Sequence, residues 1–146
     1  MTTRARDRGP LGREIAHTAD LAFEVEAPTL ALLFERAGLT LLGMMLDLET
    51  VDAREEVALG GEAASLEDLL HDWLQDLLVR AATGAFIACE LDVAHVDAGA
   101  VRGTARGERV DPARHRPYTE LKGVTYHELA VRRTAGGWWA RVIVDV

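Results

Sequence analysis

The chain has 146 residues, an apolar fraction of 49% and a formal net charge of −8 at pH 7. A chain of this length forms one domain of ordinary size, and it buries enough apolar surface to fold without a disulfide or a structural metal. An acidic surface repels a phosphate backbone, so it disfavours tight, direct binding of RNA or DNA and suits a basic protein partner or a divalent cation.

The first 13 residues contain four arginines with no apolar run behind them. A secretory signal needs an apolar run of roughly 7–15 residues and a membrane span needs about 20, and the sequence contains neither. We therefore predict a flexible tail at residues 1–13, a single domain at residues 14–146 and a cytoplasmic location.

Alternation and helical spacing predict three elements in the first half of the domain. Apolar and polar residues alternate from Leu21 to Ala27, which is typical of a half-buried strand, and the same alternation puts Asp20 on the polar face. Thr29 is a good N-cap for a helix that continues to about Met45. A second strand is predicted from Val51 to Leu59, before a pair of glycines.

Ser65 begins the clearest helix in the sequence, and Gly84 is its natural C-cap. Apolar side chains recur at i, i+3 and i+4 along one face of it: Leu66, Leu69, Leu70, Trp73, Leu74, Leu77, Leu78 and Ala81. The opposite face carries Glu67, Asp68, Asp72 and Asp76. We interpret these acids as a solvated face rather than a metal site, and His71 beside them as a surface histidine.

The rest of the chain is predicted to consist mainly of strands. They are Phe86–Val96, Ala100–Glu108, Leu121–Arg133 and Trp138–Val146, with a polar loop at Asp111–Pro117 and a hairpin turn before the last strand. Cys89, the only cysteine, lies in an apolar run, which predicts a buried and inert thiol. The fold class is therefore α+β: a single domain with two amphipathic helices packed on a largely antiparallel sheet of about six strands.

Few polar residues indicate chemistry on their own. The sequence contains no nucleophile elbow, phosphate-binding loop, dinucleotide-binding glycine pattern or Cys–His pair. His17-Thr18-Ala19-Asp20 precedes the first clear strand, where such a cluster is often a simple turn. On periodicity alone, Asp145 is a carboxylate at a strand end and Lys122 an exposed strand lysine.

Five groups of residues nevertheless occur in the order and spacing of a known family. They are His17-Thr18-Ala19-Asp20, Pro28-Thr29-Leu30 with Phe34–Ala37, Leu69–Leu74, Asp111–His115 with Glu120–His127, and Val142–Val146. Together they resemble the archease family from about Glu14 to the end of the chain. One position departs from the family pattern: Ala16 stands where many members carry an acid. If that acid helps to hold the ion, a metal site here has one oxygen ligand fewer.

The resemblance implies an accessory protein without catalytic residues of its own. Archease-type proteins activate the GTP-dependent RNA ligase that joins 3′-phosphate or 2′,3′-cyclic-phosphate ends to 5′-hydroxyl ends in tRNA splicing and RNA repair, and they promote its guanylylation and multiple turnover. By the same resemblance, Asp20 and Asp145 are expected to bind a divalent metal, calcium or magnesium. The terminal carboxylate of Val146 lies close enough to Asp145 in sequence to be a further ligand. Lys122 and His17 are expected to be functional or to contact the ligase.

Two other functions stay open on the sequence alone. A small metal-dependent hydrolase of phosphoesters or nucleotides could use the same carboxylates, with His17 as the nearest candidate base. A metal-free interaction or chaperone module would act through its surface only. Any metal site made by Asp20 and Asp145 requires the first clear strand and the last strand to be neighbours, with both carboxylates in reach of one ion.

Overall fold

The computed structural model describes residues 2–4, 12–15, 20–117 and 119–146. Its helices and strands follow in this order: β1 (Thr2–Arg4), β2 (Arg13–Ile15), β3 (Leu21–Ala27), α1 (Leu30–Gly43), β4 (Glu55–Glu62), α2 (Leu66–Ala82), β5 (Ile87–Val96), β6 (Ala100–Glu108), α3 (Pro112–His115), β7 (Gly123–Val124), β8 (Ala130–Thr134) and β9 (Gly137–Asp145). A 3₁₀ turn, Leu48–Thr50, lies between α1 and β4. Among the described helices, none has both the length and the apolar character needed to cross a bilayer.

The described strands form two antiparallel sheets. One has the order β1-β5-β6-β4, and the other has the order β2-β3-β9-β7 with β8 also paired to β9. The predicted α+β class and antiparallel pairing are confirmed, but the strands are divided between two sheets and outnumber the six expected. The additional strands β1, β2 and β7 have only two or three residues, too few to give a period-two signal in the sequence.

Helix α1 lies in the centre of the domain and is buried on nearly every side. It packs against β3 and β9 of one sheet, β1 and β5 of the other, and α2. Thr29 caps it as predicted and accepts a hydrogen bond from the Leu32 N–H at 3.2 Å. Helix α1 is the more apolar of the two long helices, and nine of its 14 residues are buried between the two sheets and α2.

One buried carboxylate on α1 contacts the segment that was predicted as a tail. Glu35 is 2% exposed and accepts hydrogen bonds from the Thr3 hydroxyl and from the Val93 N–H, the latter at 2.9 Å. Burial raises the pKa of Glu35. Within residues 1–13, β1 pairs with β5, and residues 5–11 lie outside the described part of the chain.

Most elements from β3 to β6 lie where the sequence predicts them. Helix α2 begins after Ser65, whose side chain accepts from the Asp68 N–H at 3.1 Å, and Gly84 follows its end with φ +82°. The predicted burial of the thiol is confirmed, since Cys89 is 7% exposed, and burial raises its pKa to about 11. Strand β4 begins four residues later than predicted, because the backbone N–H of Asp52 bonds to a carboxylate instead of a neighbouring strand.

That carboxylate is Glu108, which fixes the loop after β6 to the rest of the domain. It is 6% exposed and accepts hydrogen bonds from both Arg114 Nη atoms (2.9 and 2.6 Å) and from the Asp52 N–H (2.7 Å). His115 Nδ1 accepts from the Asp111 N–H at 2.9 Å, so its Nε2 carries the proton and donates to Glu108 at 3.1 Å. The Arg114 guanidinium has the largest effect on the pKa of Glu108. Together with the other donors it lowers this pKa to about 2, although burial alone would raise it.

Replacement of Glu108 by glutamine is expected to lower the free energy of unfolding by about 2–3 kcal/mol at pH 7, because charge-assisted hydrogen bonds are lost. The pKa of Glu108 in the folded protein, about 2, lies below its ordinary 4.5. The ionised carboxylate therefore stabilises the fold fully above pH 4.5, and this contribution is lost as the pH falls towards 2.

Urea unfolding of the wild type and of Glu108→Gln at several pH values between 7 and 3 measures this effect, and the difference between the two proteins should narrow at the acid end. The control is Glu55→Gln, an exposed position on β4, which should change stability by less than about 0.5 kcal/mol. A difference that stays constant over the whole pH range would contradict the role of the Glu108 charge.

Candidate functional site

Two of the predicted site residues come together at one end of the second sheet. Strands β3 and β9 are antiparallel neighbours, as the metal hypothesis requires, and Leu21 pairs with Val144. The same register, continued by one residue, places Asp20 opposite Asp145. Side chains at opposite positions of an antiparallel pair project from the same face, with Cβ atoms about 5 Å apart. Asp145 is exposed and Asp20 is half-buried.

Lys122 approaches the same place from the other side of β9. Gly123 of β7 pairs with Asp145, and the Lys122 N–H donates to the Asp145 carbonyl at 2.8 Å. The Lys122 side chain is exposed. Two carboxylates and one ammonium group therefore lie on three adjacent segments at the end of a sheet.

The face that Asp20 and Asp145 share carries polar side chains on either side of one buried apolar pair, Ala22 and Ile143. Glu24 lies four residues further along β3, opposite Arg141, and accepts hydrogen bonds from Trp139 Nε1 (3.4 Å) and Arg13 (3.3 Å). These hydrogen bonds, that of Trp139 first, lower the pKa of Glu24. The opposite face of both strands is buried in the core, so the site lies on the outer side of the sheet.

The strand predicted from Leu121 to Arg133 is interrupted, and this part of the prediction is wrong. Both β7 and β8 pair with the same edge of β9. Val124 and Ala130 are six residues apart, while their partners Val144 and Arg141 are only three apart. The chain therefore inserts three extra residues between two segments of one edge, and the loop residue Glu128 has φ +50°.

Helix α2, rather than another strand, hydrogen-bonds to this interrupted edge. Gln75 Oε1 accepts from the Val124 N–H at 2.8 Å, and His71 Nε2 donates to the Val124 carbonyl at 2.9 Å. Further along, Glu67 Oε1 accepts from the Val131 N–H at 3.3 Å. The three side chains recur at i, i+4 and i+8, so they lie on one side of α2 and together hold β7 and β8 in place.

His71 makes a second polar contact and a ring contact. Its Nδ1 lies 3.0 Å from Asp72 Oδ1, and its ring stacks on Tyr126 with 3.9 Å between ring centroids and 14° between planes. The Val124 carbonyl can only accept, so His71 Nε2 carries a proton and donates to it. His71 is thus held between Asp72 and the Val124 carbonyl.

The donors at the sheet end suit a hard divalent cation in kind, but they are few. Calcium and magnesium prefer oxygen ligands and complete their coordination with water. In the part of the chain that the structure describes, no three His, Cys, Asp or Glu side chains are grouped as a metal site. Ala16 and His17 lie outside the described residues. Joint binding of one ion by Asp20, Asp145 and the terminal carboxylate of Val146 therefore stays a prediction.

Comparison with known proteins gives a consistent result over almost the whole chain. Residues 13–146 match the model of the Archease protein family (MTH1598/TM1083). The chain is 40% identical to protein archease of Methanopyrus kandleri over 136 residues, which cover 91% of this chain and 97% of that protein. It is 35% identical to protein archease of Archaeoglobus fulgidus, with 92% and 98% covered.

Two solved structures share the fold. The solution structure of protein 1598 from Methanobacterium thermoautotrophicum aligns with a TM-score of 0.75 and 28% identity, and covers 92% of this chain and 98% of that one. The crystal structure of an archease, described as a possible chaperone, from Thermotoga maritima aligns with a TM-score of 0.63 and 23% identity, over 95% and 97% of the two chains.

Sequence reasoning did not identify the contacts that position this site. Glu67 and His71 were expected to face water, but Glu67 is half-buried and the His71 side chain is 14% exposed. The spacing of Glu67, His71 and Gln75 was an available signal, because three hydrogen-bonding residues in one i, i+4, i+8 row can satisfy a strand edge. The acids beside them gave the row the appearance of a solvated face.

Replacement of Gln75 by alanine is expected to remove the acceptor of the Val124 N–H and to lower the free energy of unfolding by about 1–3 kcal/mol. Amide hydrogen exchange followed by NMR should show faster exchange at Val124 in particular, because this edge opens locally. Gln75→Glu is the matched control, since it keeps an acceptor oxygen and should preserve most of the protection. Unchanged exchange at Val124 in the alanine variant would show that Gln75 does not hold β7.

Proposed function

The chain belongs to the archease family, and on that premise we propose that it is a non-catalytic protein that activates a GTP-dependent RNA ligase in tRNA splicing or RNA repair. Family membership supports an accessory role. The identity of the partner, the dependence on a metal and the cytoplasmic location are parts of the proposal.

The observation that best supports the proposal is the position of Asp20, Asp145 and Lys122. These residues are separated by up to 125 positions in the sequence, yet the pairing of β3, β9 and β7 brings them to one sheet end. Asp145 and Lys122 are exposed there, so a partner protein can reach them. A sheet end that exposes carboxylates and an ammonium group is suited to contact with a charged active site on another protein.

Each residue has a role that its chemistry allows. Asp20 and Asp145 would hold calcium or magnesium, with the terminal carboxylate of Val146 as the third oxygen donor. A cation bound there would offset the negative charge of a nucleotide triphosphate while the ligase is guanylylated. Lys122 adds a point charge on a flexible stem, which can contact the nucleotide or an acidic group of the ligase. His17 belongs to the same motif and is proposed to contact the ligase.

The acidic surface also fits a protein partner better than a nucleic acid. The net charge of −8 opposes the approach of an RNA backbone and favours a basic protein surface. In this proposal the ligase binds the RNA, and the accessory protein acts on the ligase.

The test is a multiple-turnover RNA ligation assay with the cognate 3′-phosphate RNA ligase, GTP and a divalent metal. Wild-type protein should raise the product above one ligation per ligase. Asp20→Ala and Asp145→Ala should reduce this stimulation on the order of tenfold or more, as loss of a group at a metal site does. Asp76→Asn is the matched control, because Asp76 pairs with Arg80 at 3.1 Å and takes no part in the pairing of β3, β9 and β7.

Three results would contradict the proposal in different ways. Full stimulation by folded Asp20→Ala and Asp145→Ala would remove the carboxylates from the mechanism and favour an interaction module. Absence of stimulation by the wild type would remove the ligase as the partner. Turnover of GTP or of a phosphoester by the protein alone would identify a hydrolase.

A separate experiment tests the metal. Calorimetric titration with calcium or magnesium should give a dissociation constant on the order of 10⁻⁴–10⁻³ M for a site with few protein ligands. Asp20→Asn and Asp145→Asn should each weaken binding markedly, because each keeps the side-chain shape and loses the charge. If neither ion binds the wild type, the metal has no place in the function, whatever the ligation assay shows.

A further inference from the structure

The loop between β7 and β8 exposes an aromatic side chain beside the proposed site. Tyr126 is 59% exposed, more than any other large apolar or aromatic side chain among the described residues. One face of its ring stacks on His71, so the exposed surface belongs to the other face and the ring edge. Tyr126 is three residues from Gly123, the partner of Asp145, and thus within roughly 10 Å of the sheet end.

The position of Tyr126 is fixed by several contacts. The insertion that carries it closes through hydrogen bonds from the Leu129 N–H to the Tyr126 carbonyl (3.2 Å) and from the His127 N–H to Thr125 Oγ1 (3.3 Å). His71 beneath the ring is held by Asp72 and by the Val124 carbonyl. An aromatic ring that is already ordered loses little entropy on binding.

Acidic side chains of α2 lie beside this ring. Asp72 is exposed, and Asp68 is half-buried one turn before it. The pKa of Tyr126 is raised, mainly by partial burial and to a smaller extent by the negative charges of Asp72 and Asp68. These two carboxylates give the surface around Tyr126 a negative charge.

We propose that Tyr126, with Asp68 and Asp72, is the contact surface for an arginine of the ligase, and this proposal rests on the proposed function. A guanidinium stacks on the open face of a tyrosine ring and pairs with a neighbouring carboxylate through its planar N–H groups. Tyrosine is also among the residues that most often dominate the energy of a protein interface. The surface lies beside the sheet end, so one partner can cover both.

A nucleic-acid base can also stack on an exposed tyrosine ring, but the charges around Tyr126 disfavour RNA binding. Protein sites that stack single-stranded RNA bases combine aromatic rings with a positively charged groove that follows the backbone. Around Tyr126 the charged side chains of α2 are carboxylates, which repel phosphate. The observations therefore favour a protein partner.

Binding of the purified cognate ligase to the full-length protein tests the proposal by biolayer interferometry. Tyr126→Ala should weaken binding about tenfold or more, the size expected for an aromatic interface residue. Tyr126→Phe keeps the ring and should stay within about twofold of the wild type. Asp68→Lys should weaken binding mainly through slower association, and this effect should shrink as salt is raised.

Matched controls separate a lost contact from a lost fold. Val79→Ala removes another exposed apolar side chain of α2, 45% exposed, and should leave binding unchanged. Circular dichroism and thermal unfolding of each variant establish that it is folded. Tyr126→Phe remains informative if Tyr126→Ala unfolds, because a large loss of binding on removal of the hydroxyl alone would contradict recognition by the ring.

The outcomes distinguish this proposal from the proposed function. If the wild type stimulates the ligase but folded Tyr126→Ala binds and stimulates equally well, the contact surface is wrong and the function stands. If the wild type neither binds nor stimulates the ligase, the proposed function fails first. If a labelled single-stranded RNA with a 3′-phosphate binds the wild type but not Tyr126→Ala, the surface is an RNA site and this proposal is overturned.

Discussion

The structure around the proposed site depends on one exchange of hydrogen bonds, in which side chains of α2 take the place of a neighbouring strand. An edge strand carries backbone groups that need partners, and an uncovered edge is prone to pair with other chains. Here Gln75 and His71 bond to the N–H and carbonyl of Val124, and Glu67 bonds to the N–H of Val131. Without these hydrogen bonds, the two-residue strand β7 would be held beside β9 only weakly.

This exchange links the helix to the chemistry at the sheet end. Strand β7 places Lys122 beside Asp145, and β9 in turn lies beside β3, which leads back to Asp20. Helix α2 thereby reaches the site through main-chain positions, with no side chain of its own in the proposed metal shell. The same helix contributes His71, on which Tyr126 stacks, so one element supports both the proposed metal site and the proposed contact surface.

Much of the fold was predictable because long elements repeat their pattern many times. The alternation in β3 and β9 and the apolar stripe of α2 each give several concordant positions, and Thr29 and Ser65 mark the helix starts. Strands β1, β2 and β7 are too short for such a signal. The split of Leu121–Arg133 depends on a register difference against β9 that no local pattern contains. Likewise, Asp20 and Asp145 were named by family resemblance, and only the pairing of β3 with β9 makes them neighbours.

The loop between β7 and β8 takes no part in the strand pairing. Each of the two flanking strands keeps its own register with β9. Residues can therefore be gained or lost in this loop during evolution without a slip of either strand and without displacement of Lys122 or Asp145. The proposed contact surface at Tyr126 can therefore change in length and sequence while the backbone that positions Lys122 and Asp145 keeps its geometry.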